Sequence, residues 1–581
     1  MIILSQPLES AFQKASVNII DGGVMMKKDV RKRIKYSALL ALILVIALTG
    51  CTPGSSSKGE KTADGRELKQ FSAFFAVPGK IAPDDNRLLK AIEEKTGARV
   101  TMDWLTGQTA KERIGVLIAG GEYPDFIDGS DGTQQLVAAG ALVPLEDYID
   151  KYPNIKNYLG EDWKKMKNTT DGHIYFIPQF GNIQEKSMKV SHDGEAFWIQ
   201  KAVLEWDNYP TIKTLDQYFD LIERYKAAHP TVDGQPTIGF EIISYDWRYF
   251  ALENPPLFMA GYPNEGAAIV DKETLTAKNY NTIPEAKAYF KKINEVYHQG
   301  LVDNETFTAN YDQYISKIST GRVLGMVDQG WQFLDAEASL VKQKLYDKTY
   351  VPLSITLSED VKGRYQNNPI LNVNGGLAIT KSCEDIEGAL QYINDLLDPE
   401  MEVLRTWGQE GVDYQVDDKG VFSRNEEQRA NSKDPDWVLA NTGSPLVYFP
   451  HHEGMTADGK NALDPKEQPE EYLATLNDID KKVLKAYGYT KFTDFLEPAE
   501  ENEPWFPIYT YNFEPNKPET IARQKMDDVK RKWLPKVIMT SPAEFDKAWE
   551  EYQATLKESA DIKAYEDALT EEVRRRMELW G

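Results

Sequence analysis

The chain has 581 residues, 67 Lys and Arg against 91 Asp and Glu, a formal charge of -24 and only two cysteines. A chain this acidic is a poor ligand for nucleic acid or an anionic membrane, and the charge is that of a well-solvated surface. The cysteine count excludes a cysteine-based zinc cluster, and the length calls for two or more α/β-sized lobes.

Residues 1–24 carry no export logic. Lys27, Lys28, Arg31, Lys32, Arg33 and Lys35 then precede an uncharged stretch over 37–48, in the charge order of a signal peptide. That stretch is too short for a permanent membrane helix. Leu48-Thr49-Gly50-Cys51 resembles the bacterial lipobox, which implies cleavage before Cys51 and diacylglycerol on its thiol. Residues 1–50 are therefore expected to be a lipoprotein signal peptide whose true start is Met25 or Met26. Removing the leader leaves a chain near -28, because it holds seven Lys or Arg against three Asp or Glu. The Ser- and Gly-rich run that follows predicts a flexible tether over 51–66. With Cys51 lipidated, Cys383 is the one thiol left and reads as inert packing, with no intrachain disulfide.

Beyond the tether the pattern predicts a strand over 70–77, a helix over 86–96 with Leu88, Leu89 and Ile92 at helical spacing, and a strand over 99–105. A helix over 111–119 breaks at Gly120-Gly121, and a strand follows over 123–127. This order predicts a mostly parallel sheet with helices on both faces. Further helices are expected over 215–228, 284–298 and 386–397, and strands over 323–327 and 376–379. Residues 413–518 turn polar and proline-dotted, with scattered aromatics, and are expected to form a long surface insertion. Ser541-Pro542-Ala543-Glu544 predicts a capped start for a final helix that buries Phe545, Trp549, Tyr552 and Leu556.

Several segments carry a family resemblance in collinear order. They are Gly120-Gly121-Glu122-Tyr123-Pro124-Asp125, Gly140 to Tyr148, Asp171 to Pro178, Trp198-Ile199-Gln200-Lys201, Thr214 to Tyr218, Tyr297 to Glu305, Gly321 to Gly325 and Gly376 to Ser382. Over residues 68–410 the chain resembles the extracellular solute-binding proteins of bacterial carbohydrate ABC importers, above all their large Gram-positive lipoprotein branch. The resemblance implies an α/β, two-lobed periplasmic-binding-protein-like fold of type II, with the ligand cleft between the lobes. It puts lobe 1 at 67–185 and 370–405, and lobe 2 at 186–369 and 406–581. It further implies a monomer anchored on the outer face of the cell membrane through the lipid on Cys51, which hands an oligosaccharide to ABC permease subunits. No cofactor, metal or nucleic acid is called for.

A sugar site needs aromatic faces against pyranose C–H surfaces, and carboxylates or amides for the hydroxyls. The cleft segments of the family fall here on Trp331, on Tyr245, Asp246 and Trp247, on Asp128 and Asp131, and on Gln179 and Phe180. All lie beyond strand carboxyl ends, where open α/β sheets bind ligands. Trp198 either stacks on ligand or buries in the second lobe, and Trp407 with Glu410 marks either the cleft or a helix end. Asp128 and Asp131 fit turns equally well. Where some relatives carry an EF-hand-like calcium loop, His229 to Pro236 offers one acidic candidate, Asp233, and calcium needs several oxygens. Two other readings remain open: a surface-anchored carbohydrate-active enzyme, and a sensor or adaptor with the same fold. The sequence has no H-E-x-x-H, G-x-S-x-G or P-loop motif.

Overall fold

A computed structural model describes residues 60–581 apart from 168–170, 267, 374 and 512. The signal segment, Cys51 and the tether up to residue 59 lie outside the described residues. No described helix is long and apolar enough to cross a membrane.

Strand β1 (Lys69–Phe75) opens the first lobe and is followed by helix α1 (Arg87–Thr96), β2 (Ala98–Trp104), α2 (Ala110–Gly120) and β3 (Phe126–Asp128). The helices begin and end where local chemistry dictates. Asn86 Oδ1 accepts from the backbone N of Leu89, Thr109 and Glu112 form a reciprocal capping box, and Gly97 and Gly121 end the two helices in the left-handed region.

The second lobe contributes β4 (Glu195–Gln200), α3 (Leu215–Ala228), β5 (Ile238–Ile242), α4 (Pro284–His298), β6 (Val323–Gln329) and β7 (Tyr350–Leu353). The chain then returns to lobe 1 with β8 (Ala378–Ile379), α5 (Ile386–Leu396) and α6 (Pro399–Thr406).

Lobe 1 is built on the sheet β8-β3-β1-β2, in which β1 runs parallel to both neighbours and the returning β8 is antiparallel. Lobe 2 is built on β7-β4-β6-β5. Here β5 and β6 are parallel, while β4 runs antiparallel to both β6 and β7. The parallel expectation therefore describes lobe 1 better, because β4 enters lobe 2 from the lobe-connecting segment against the direction of its neighbours. Separate cores support the lobes: Phe71, Phe75, Phe126, Ile379 and Ile393 in the first, and Phe197, Ile222, Phe240, Leu324 and Val327 in the second.

The boundary expected at residue 406 is corrected. Residues beyond it stay on lobe 1, where α7 (Pro435–Asn441), Leu446 and Phe449 pack against α1 and the β1–β3 sheet. Arg405 explains how an irregular segment is held there. Its buried guanidinium donates to the carbonyls of Leu396, Leu446, Phe449 and Pro450, which gives buried backbone acceptors the partners they need. Arg87 adds an ion pair to Asp413 at 2.6 Å, and Asn86 Nδ2 donates to the carbonyls of Leu439 and Thr442. The chain joins lobe 2 again at α8 (Asp478–Tyr487), whose Asp480 pairs with buried Lys201 at 2.6 Å.

Three helices close that lobe: α9 (Pro518–Met539), α10 (Phe545–Ser559) and α11 (Ile562–Trp580). Phe545, Trp549, Tyr552 and Leu556 are all buried. The start of α10 differs in detail from the expected box, since Pro542–Glu544 is a 3-10 turn in which Ser541 Oγ donates to Glu544. Residues 231–236 form a tight hairpin, with Asp233 and Gly234 both at positive φ as a type I′ turn requires. Cys383 is buried, which pushes its thiol up to about 12.

Candidate functional site

Because β5 and β6 are parallel neighbours, with Ile242 opposite Val327, the segments leaving their carboxyl ends emerge side by side. One supplies Trp247 and the other Trp331. Their indoles stack at 5.8 Å between centroids and 12° between planes. Both are about two-fifths exposed, at 40% and 41%. The row extends inward: the Arg248 guanidinium lies 4.5 Å from the Trp247 ring centroid and 4.1 Å from that of Tyr311. Burial pulls the Arg248 pKa down, and its Nε has no hydrogen-bond partner among the described residues. Tyr245, 45% exposed, stands at the same rim.

The turn that presents Trp247 is held from behind. Asp246 sits at φ 53°, an unfavourable conformation for a residue with a Cβ. Its carbonyl accepts Arg531 Nη2 of α9 at 2.8 Å, and that guanidinium also lies over Tyr249. Arg531 is thus a positioning residue. Arg531→Met is expected to weaken ligand binding at the indole row about tenfold by loosening this turn, while shifting unfolding free energy by less than about 1 kcal/mol. Calorimetry paired with urea unfolding checks it.

Asp328, next to last in β6, lies beneath the row and is fully buried. Tyr314 OH donates to it at 2.7 Å, the backbone N of Gln329 at 2.8 Å and Gln332 Nε2 at 2.5 Å. Burial outweighs these bonds and pushes its pKa up to about 7. Buried Glu195 is raised well above its ordinary range by burial and by the nearby Asp328 carboxyl.

Lobe 1 offers a second set at the end of β3. Asp128 is buried, accepting from Gln179 Nε2 at 3.1 Å and the backbone N of Ser130 at 2.8 Å, and burial raises its pKa. Gln179 also donates to the Tyr448 carbonyl at 2.7 Å. These two residues brace the wall, and Phe180 is its open face, edge-on to both Tyr448 and His451. Asp131 reaches solvent at the same end and acts across the lobes. Arg523 of α9 is exposed; the crowding of protein around it opposes its charge, yet Tyr565, Asp527, Asp131 and Glu253 together hold its pKa above the ordinary value.

Three expected residues are corrected. Trp198 is core: 5% exposed, it donates Nε1 to the Asp328 carbonyl at 2.8 Å and packs on Phe333. Trp407 is fully buried in lobe 1 between Tyr414, Phe422 and Arg424, with Nε1 on the Ala462 carbonyl at 2.9 Å. Glu410 is exposed beside that satellite cluster and not beside the indole row. Sequence reasoning missed Arg248, Tyr311, Tyr448 and Arg523. Arg248 adjoins a named tryptophan and was within reach, whereas the other three arrive only through tertiary packing. Among the described residues no group of three or more His, Cys, Asp or Glu is poised for a metal.

Two α/β lobes, each presenting aromatic and polar side chains from strand carboxyl ends toward the other, define a two-lobed ligand-capturing receptor. Residues 87–409 match the family model of the bacterial extracellular solute-binding protein, and the chain belongs to that family, with its two-lobed type II fold. It is 29% identical over 312 residues to the fructooligosaccharide ABC transporter substrate-binding protein FusA of Streptococcus pneumoniae serotype 4, a match spanning 49% of this chain and 56% of that protein. It is 24% identical over 411 residues to Lipoprotein LipO of Bacillus subtilis, covering 68% of this chain and 76% of LipO. The fold superimposes on the structure of FusA in complex with kestose with a TM-score of 0.63 and 18% identity, over 88% of this chain and all of that one.

Proposed function

We propose that the chain is a lipid-anchored extracellular receptor that captures an oligosaccharide between its lobes and delivers it to the permease subunits of an ABC importer. The row Tyr311, Arg248, Trp247 and Trp331 carries this reading. It ends in half-open indole faces suited to pyranose C–H surfaces, with the buried Arg248 guanidinium supporting them from within. The sugar-binding names of relatives support the ligand class, and a lipoprotein among them supports the anchor. An oligosaccharide fits better than a single sugar, because Phe180 and Asp131 on the opposite wall add contacts beyond one ring.

Calorimetry of the mature chain with fructo-, xylo- and galacturono-oligosaccharides tests the receptor. Saturable binding at one site with the sugar recovered intact is expected. Shortened products would instead make it a carbohydrate-active enzyme, and heatless titrations throughout would leave a sensor or adaptor. Cys51→Ser in the full-length precursor is expected to move the protein from the membrane fraction to the medium. Retention on the membrane would refute the anchor.

A further inference from the structure

The irregular segment 448–453, part of the long insertion, is locked onto one edge of lobe 1. Arg405 holds the Phe449 and Pro450 carbonyls, and Glu402 of α6 accepts the backbone N of His452 at 2.8 Å and its Nδ1 at 3.0 Å. The segment in turn fixes Phe180 from both sides. Gln179 Nε2 donates to the Tyr448 carbonyl at 2.7 Å, and the backbone N of Gly181 donates to Glu453 at 2.8 Å. Gln179 also bonds Asp128 at the carboxyl end of β3, and Asp131 at that same end acts on Arg523 of lobe 2, so this edge is turned toward the other lobe.

The rings of the edge run in a row. Trp104, covered by Gly79 and by Phe75 at 4.9 Å, is its brace, and it meets Tyr448 at 5.5 Å. Phe180 then stands between Tyr448 at 5.6 Å and His451 at 5.5 Å, with both ring planes at 88° to its own. Phe180 is the exposed member and offers an apolar surface, while Tyr448 and His451 are half-buried beside it.

Their polar atoms decide what the edge accepts. The Tyr448 hydroxyl has no partner among the described residues and is able to donate or accept. His451 Nδ1 lies 3.0 Å from the Phe449 carbonyl, which only accepts, so Nδ1 carries the proton and Nε2 presents a lone pair. The protein crowded around the ring and the nearby Arg405 charge both pull the His451 pKa down, which keeps the ring neutral. Neither the hydroxyl nor Nε2 is sealed from solvent. A sugar hydroxyl donates to such a lone pair, whereas a carboxylate sets only lone pairs of its own against it.

We propose that Tyr448 and His451, flanking Phe180, are specificity-determining residues that seat one sugar unit on lobe 1 and select a neutral, hydroxyl-bearing unit over a uronate. This rests on the receptor reading and adds to it the class of ligand.

Calorimetry of the mature chain with xylotetraose, maltotetraose, galactotetraose and nystose beside tetragalacturonate tests it. At least one neutral probe is expected to bind more tightly than tetragalacturonate. Tyr448→Phe and His451→Phe are each expected to weaken that binding about threefold to tenfold, as loss of one hydrogen bond implies. Both variants keep a ring in place, and thermal melting checks the fold of each. His451→Phe should also narrow the preference for the neutral probe over tetragalacturonate, which general damage to the edge would leave unchanged. Tighter binding of tetragalacturonate than of every neutral probe overturns the proposal, as does neutral-probe affinity unchanged in both variants. Binding of no probe would remove the receptor reading with it. Binding lost in Trp247→Ala/Trp331→Ala but kept in Tyr448→Phe and His451→Phe would leave the receptor standing and remove this subsite alone.

Discussion

Trp247→Ala/Trp331→Ala is expected to weaken oligosaccharide binding at least 100-fold while leaving the fold intact. Each indole offers a large apolar face, and well-placed aromatic anchors at binding sites are worth about 2 kcal/mol or more apiece, so losing two corresponds to about 3–4 kcal/mol, or 10²–10³ in Kd. Both rings are about two-fifths exposed at 40% and 41%, so their truncation opens no core cavity. Neither lies in the hydrophobic core of lobe 2. The single variants should fall short of additivity, because the rings stack on each other and each supports its partner's orientation. Calorimetry with the tightest oligosaccharide, beside a urea unfolding curve, checks the claim. Unchanged affinity in the double variant would place the sugar elsewhere.

The elements that were legible in the sequence are those fixed by neighbours in the chain. Leu215–Ala228 and Pro284–His298 begin and end where capping and periodicity place them, because a cap such as the Thr214 and Gln217 box is a bond between near neighbours. The placing of residues 407–463 on lobe 1 was illegible, since it depends on contacts distant in sequence: Arg405 reaching carbonyls up to 45 residues away, and Asn86 and Arg87 reaching Leu439, Thr442 and Asp413. Trp331 and Trp407 show the same limit within the site. Each tryptophan adjoins a glycine, and each composition fits cleft or core. Only tertiary packing separates them, leaving the first at the rim and burying the second under Tyr414 and Phe422. Arg248 gains its role from Tyr311, which is brought beneath it from more than sixty residues away.

Stability is expected to depend on pH through Asp328, a carboxyl fully buried beneath the indole row. Its pKa is pushed up to about 7 against the ordinary 3.8, mainly by burial. Between these values the folded chain binds a proton that the unfolded chain has released. The stabilising contribution is therefore complete below about pH 4 and is lost as the pH rises through about 7. A shift of that size corresponds to about 4 kcal/mol, as an order of magnitude. Glu265, up to about 7, and Glu467, up to about 8, act with the same sign. His192 opposes them at lower pH: burial pulls it down to about 4, so the unfolded state gains a proton first as the pH drops below its ordinary value. Asp328→Asn separates the contributions, since the histidine effect cancels in a difference between variant and parent. Asparagine keeps the acceptor for Gln329 and Gln332 and can donate to Tyr314 OH in place of accepting from it. The variant should match or slightly trail the parent at pH 4.5 and exceed it by about 3 kcal/mol at pH 8 in urea unfolding. Removing the neighbouring carboxyl also relieves Glu195, which adds to the difference with the same sign. A flat difference across that range would mean that Asp328 is ionised throughout, in which case Arg248, facing it from beneath Trp247, would be the counter-charge that keeps it so.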